Sequence, residues 1–168
     1  EDGTIAISDF DGVLWIWRPG ATRPATFPSQ LPARAAPAGN PRRTTAFEPG
    51  GTQTAVLAPD GSTRIWDAAG RVTELSEPGS PGIAVVATRD LVVACRLNGH
   101  VQGWRWSDHA RVIELLPEAT NYCQLAATPR GDVIAVTGNR LTVWGPDRSI
   151  APREQRYGDQ LAMSLGSV

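Results

Sequence analysis

Two carboxylates stand two residues apart behind a hydrophobic run, at Asp9 and Asp11 in Ile5-Ala6-Ile7-Ser8-Asp9-Phe10-Asp11-Gly12-Val13-Leu14. Such a pair could divide a phosphoryl transfer between them. The other titratable groups suggest less. His100 and His109 are nine residues apart without flanking Cys or Glu, which argues against a metal or catalytic role. Cys95 and Cys123 are too few for a disulfide framework or a metal site. Both lie in apolar runs and read as buried small hydrophobes rather than as a disulfide or a reactive thiol. All 16 basic residues are arginine. No lysine is available for a Schiff base or a phosphate-binding loop, and no Gly-rich phosphate loop or G-x-S-x-G motif occurs.

The Asp9–Leu14 segment resembles the first motif of haloacid-dehalogenase-type phosphatases, Asp-x-Asp-Gly-(Thr/Val)-Leu. That resemblance implies that Asp9 is the nucleophile and Asp11 the general acid/base, with Mg²⁺ neutralising the phosphate charge. The rest of the chain does not extend it. The charge-stabilising lysine of that family is absent, and Gly158-Asp159 echoes its acidic metal motif with Met163 where a second aspartate is expected. No segment sustains the 3.6-residue apolar period that its helices need.

The same Asp-Gly register recurs downstream, and there it belongs to a repeat. Turn pairs at Asp11-Gly12, Asp60-Gly61, Asn98-Gly99 and Gly138-Asn139 lead to Trp17, Trp66, Trp104 and Trp144, each six residues beyond the first turn residue. The turns are separated by 49, 38 and 40 residues, the length of one four-stranded propeller blade. Short apolar runs precede them (Thr4–Ser8, Thr54–Ala58, Leu91–Cys95, Val133–Thr137), and alternating runs follow (Val13–Trp17, Ser62–Trp66, His100–Trp104, Leu141–Trp144). Each set reads as a hairpin closed by a tight turn, for which Asp-Gly and Asn-Gly are the signals because those residues tolerate positive φ. An earlier hairpin also repeats, since Ala46–Gly51 matches Ala126–Gly131 at an offset of 80 residues. Trp15 with Trp17, and Trp104 with Trp106, project to one strand face and suit packing between blades.

Thr45–Asp67 resembles a WD-repeat, with a first strand ending in Pro-x-Gly, a second in Asp-Gly and a third in Ile65-Trp66-Asp67. In that family the aspartate before the glycine and the strand tryptophan join a Ser/Thr and a histidine in a hydrogen-bonded tetrad. The resemblance implies such turn or tetrad roles for Asp11, Trp17, Asp60, Trp66, Asn98, Trp104 and Trp144, although the family's Gly-His is missing. The expected fold is all-β: a β-propeller of about four four-stranded antiparallel blades, or half of a larger propeller. Blades are expected at 1–32, 44–77, 82–117 and 120–157, with 159–168 as a closing or swapped strand. The long interval arises from 18–43, whose six prolines favour an extended insertion loop.

A net charge of −1 and a pI near 6.1 argue against a nucleic-acid surface, and no apolar run reaches the length of a membrane span. The resulting expectation is a non-catalytic, cytoplasmic protein-interaction scaffold without a cofactor. The resemblance allows tethering to kinases or NTPases, as is common for such modules in bacteria. Its binding rim would gather Asn40, Arg42, Arg43, Thr120, Asn121, Tyr122, Asn139 and Arg140, arginines beside amides and an aromatic ring that suit an acidic or phosphorylated protein segment. A second propeller half, or the rest of a longer chain, is a further expected partner.

Overall fold

β-branched and aromatic residues alternating between Gly-containing turns can bury their side chains only by stacking sheet on sheet. The computed structural model shows this arrangement, and describes residues 5–8, 14–27, 45–58, 60–116, 122–147 and 151–156. The first sheet comprises β1 (Ile5–Ser8), β2 (Leu14–Trp17) and β3 (Ala25–Phe27). The second holds β4 (Thr45–Phe47), β5 (Thr54–Leu57), β6 (Thr63–Trp66) and β7 (Val72–Ser76). The third holds β8 (Gly82–Ala87), β9 (Leu91–Arg96), β10 (Val101–Arg105) and β11 (Arg111–Leu115). The fourth holds β12 (Cys123–Ala127), β13 (Val133–Thr137), β14 (Arg140–Trp144) and β15 (Arg153–Arg156).

Every sheet is an antiparallel meander, so the protein is all-β with four sheets in a propeller-like succession. Three have four strands, and the first has three among the described residues. The proposed closing strand at 159–168, most of the 18–43 loop beyond Phe27, and the turn holding Asp9 and Asp11 lie outside the described residues.

Register divides each sheet into two faces. In the second sheet Ala55 pairs with Ile65, and both join Val85, Val92, Ala94 and Trp104 of the third sheet in one core cluster. Its opposite face carries Val56 and Trp66, which pack with Ile16 of the first sheet. The third sheet turns Val93, Cys95 and Val101 toward Val133, Ala135 and Trp144 of the fourth. Each core is therefore an interface between successive sheets, and no sheet has a core of its own.

Two expectations are corrected here. Cys95 and Cys123 are buried, but they are joined in a disulfide. One is the penultimate residue of β9 in the third sheet, the other opens β12 in the fourth, and their Cα atoms are 6.4 Å apart, within bridging range. The Asp-Gly and Asn-Gly turns also differ from two-residue hairpins. At 58–62 the N–H of Gly61 donates to Ala58 O and that of Ala58 to Ser62 O; at 96–100 Gly99 and Arg96 repeat the pattern. Only the glycines take positive φ (82° and 78°), because they bear the left-handed position of a three-residue loop. Asp60 and Asn98 instead accept hydrogen bonds from the N–H groups of Ser62 and His100. Gly138-Asn139 does close a two-residue turn, between Thr137 and Arg140, and again glycine has the positive φ.

Candidate functional site

The β4–β5 and β6–β7 turns of the second sheet lie at the same end of the array as the β10–β11 turn of the third. Between them runs a groove of about 660 Å³. Thr52 and Gln53 come from the first turn, Asp67, Ala68, Ala69 and Arg71 from the second, and Trp106, Ser107 and His109 from the third, with Ile65, Val72 and Thr73 completing the lining.

Each turn is held by its own carboxylate. Glu48 accepts from the N–H groups of Thr52 and Gln53 at 3.1 and 3.2 Å. Asp67 accepts from the N–H groups of Ala69 and Arg71, and its other oxygen takes the Arg71 guanidinium at 2.6 Å. The Arg71 backbone bond, then its guanidinium, hold the Asp67 carboxyl below its ordinary pKa. Asp108 accepts a bidentate Arg105 at 3.0 and 2.8 Å and the N–H of Ala110. Those bonds, the arginine's foremost, bring the Asp108 carboxyl down to about 2 and push the Arg105 guanidinium up.

The two sheets meet across the groove through side chains. Gln53 Nε2 donates to Trp106 O at 3.1 Å, and its Oε1 lies 2.9 Å from His109 Nε2. The amide carbonyl can only accept, so His109 carries its proton on Nε2. His109 sits at φ 59°, the one non-glycine residue with positive φ among the described residues. Histidine tolerates this conformation better than most residues, and here the bond to Gln53 offsets its cost. Trp106 fixes the turn from beneath, its indole N–H donating to Thr88 O at 3.2 Å while the ring is buried. Gln53, His109, Asp67 and Arg71 are thus hydrogen-bonded within the groove and shape it. His109 meets an amide, not a hydroxyl or thiol.

Of the residues expected on a binding rim, Tyr122, Asn139 and Arg140 are described. They share one end of the fourth sheet, where Cys123 pairs with Thr137 and Thr137 with Arg140. Tyr122 and Asn139 are exposed, and Arg140 donates to Glu154 on β15 at 3.0 Å. That end is opposite the groove. Asn40, Arg42, Arg43, Thr120 and Asn121 lie outside the described residues, as do Asp9 and Asp11. Of the turn and tetrad residues, Trp66, Trp104 and Trp144 are buried between sheets, whereas Trp17 is 48% exposed. Neither histidine contacts a repeat tryptophan through a hydrogen bond: His100 faces Glu114 and His109 faces Gln53. Sequence reading missed the groove. Its pairing of Gln53 with His109 spans 56 residues, and the one available signal was the repeated turn carboxylates Glu48, Asp67 and Asp108.

No protein-family model and no curated protein matches this chain. Solved structures do. The computationally designed protein Ika8 superposes with a TM-score of 0.68 at 18% identity, over 92% of this chain and 46% of that one. U3-55K superposes with a TM-score of 0.66 at 16% identity, over 92% and 49%. The likeness is one of fold. This chain spans about half the length of either. Among the described residues no helix is long and apolar enough to cross a membrane.

Proposed function

We propose that the chain is a non-catalytic interaction module of WD-repeat type that presents the turn ends of its sheets to a segment of another protein. The observation that carries this reading is the groove between the second and third sheets. It is open, about 660 Å³ in volume, and walled by turns that Gln53 ties together through Trp106 O and His109. Such a site offers shape rather than an activated nucleophile.

Site-specific photo-crosslinkers test the reading in cells that express the chain. Placed at Ala69 or Ser107 they should label one partner protein reproducibly, whereas crosslinkers at Tyr122 or Asn139 report the opposite end. Absence of a labelled partner from both ends would overturn the proposal. So would Mg²⁺-dependent hydrolysis of p-nitrophenyl phosphate that is lost on Asp9→Asn, since that outcome establishes the phosphatase chemistry of Asp9 and Asp11 instead.

A further inference from the structure

The chain has two cysteines and no free thiol, because Cys95 and Cys123 are joined to each other. Their bond does not close a hairpin. It runs from β9 of the third sheet to β12 of the fourth, across the interface where Val93, Val101 and Ile113 meet Val133, Ala135 and Trp144. Both half-cystines belong to that apolar cluster, at 0% and 3% exposure. The bond therefore lies inside a core that exists only once the two sheets have stacked.

Burial decides when such a bond can form. Oxidation proceeds through a thiolate and a mixed disulfide with the oxidant, and a stacked apolar interface admits neither the charge nor the second molecule. In the unstacked chain both thiols are accessible. One of them, as thiolate, attacks the disulfide of the oxidant and releases one of its sulfurs. The other thiolate of the chain then attacks the cysteine sulfur of that mixed disulfide, which closes Cys95–Cys123 and expels the second sulfur. The chain loses two electrons and two protons, and the oxidant, a protein or low-molecular-weight disulfide, is reduced to two thiols. Once the sheets stack, the same burial keeps a reducing thiolate from either sulfur.

The oxidant must then be present where the chain folds. A reducing thiol pool would leave the pair as a dithiol, and stacking would bury it in that form. We infer that this chain folds and works in an oxidising compartment outside the cytoplasm, which departs from the cytoplasmic expectation. As two small hydrophobes the cysteines would suit any compartment, whereas as a buried bond between sheets they suit one that supplies a disulfide oxidant. The partner of the groove is then met in that compartment, a consequence that alone rests on the groove reading.

Thiol trapping in the cells that produce the chain tests the inference. One sample is quenched in acid and alkylated with N-ethylmaleimide under denaturing conditions, and a second is separated into cytoplasmic and extracytoplasmic fractions. The intact mass should show no maleimide adduct, and the chain should lie in the extracytoplasmic fraction. Two adducts, or a chain confined to the cytoplasm, would overturn the inference. Purified chain tests the order of events. After reduction in denaturant it is refolded with oxidised glutathione present from the start or added only at the end, with circular dichroism reporting whether the reduced chain has folded. Late addition to a folded dithiol should slow bond formation by roughly tenfold or more, since the sheets must first open. A chain that stays unfolded until the oxidant arrives supports the inference equally, because the bond is then a condition of folding. Equal rates in a chain already folded would overturn it, since oxidation could then follow folding in any compartment. Failure here leaves the groove reading untouched, because that reading is tested at the turn ends.

Discussion

Single residues in the turns carry more of this fold than their exposure suggests. Gly61 combines φ 82° with a backbone neighbour, since a Cβ built there would collide with the Ser80 carbonyl from the strand-to-strand link of the next sheet. Gly50 has φ 73° but open space around it. Comparing the two separates conformation from contact. Gly50→Ala should cost about 1–2 kcal/mol, the left-handed term alone, and Gly61→Ala clearly more, as read from denaturant midpoints. Equal losses would show that the 77–81 link yields freely. The Asp108 carboxylate makes a second residue-scale case. Its pKa, brought to about 2 by Arg105 and the Ala110 N–H, lies below the ordinary carboxylate value near 3.9. A depressed pKa contributes stability above the unfolded value and loses it as pH falls through the folded one. The contribution of Asp108 should therefore be intact at pH 5 and fade between about 4 and 2. Carboxyl titration by NMR should place its midpoint near 2, rising toward 4 in Arg105→Ala; an unmoved midpoint would transfer the cause to the backbone. The Asp-Gly pairs were legible as turns but not as the kind of turn they make. Sequence places Asp and Gly side by side without saying which bears the positive φ, and the choice depends on whether the loop holds two residues or three.

Strands and hairpins were the most readable level. Alternation ending in tryptophan located β2, β6, β10 and β14, because a period of two with a large terminal residue has few other stable uses. The groove was not readable, since its walls are brought together by sheet stacking. Gln53 and His109 are 56 residues apart and meet only when the second sheet abuts the third. The amide is hydrogen-bonded at both ends, to Trp106 O and the imidazole. Gln53→Ala leaves a carbonyl and a ring nitrogen without that partner and should cost about 1–2 kcal/mol. The coupling is the sharper test. In a cycle of Gln53→Ala with His109→Ala, the second substitution should cost less once the first is made, by about 0.5–1.5 kcal/mol. Full additivity would mean that water replaces the amide without loss and that the two turns are held independently.

At the scale of the molecule, stability is distributed along a row, because every core lies between neighbouring sheets. Such arrays behave as chains of local terms coupled to their neighbours, and a terminal unit with one open face opens first. Among the described residues the first and fourth sheets are such end units, and the disulfide ties the fourth to the third. Cys95 and Cys123 close a loop 28 residues apart in sequence, and a loop of that size is worth about 3–4 kcal/mol in the chain-entropy account. Sequence could not reveal the bond, since two cysteines in separate apolar runs look like two small hydrophobes until the third and fourth sheets are stacked. Replacing both by alanine should lower the opening free energy of amides in β12–β14 by most of that amount in native-state hydrogen exchange. Amides of β5 and β6, two interfaces away, should change by less than about 1 kcal/mol. A uniform loss across all four sheets would instead show that the array opens as one cooperative unit, with the disulfide acting on global stability alone.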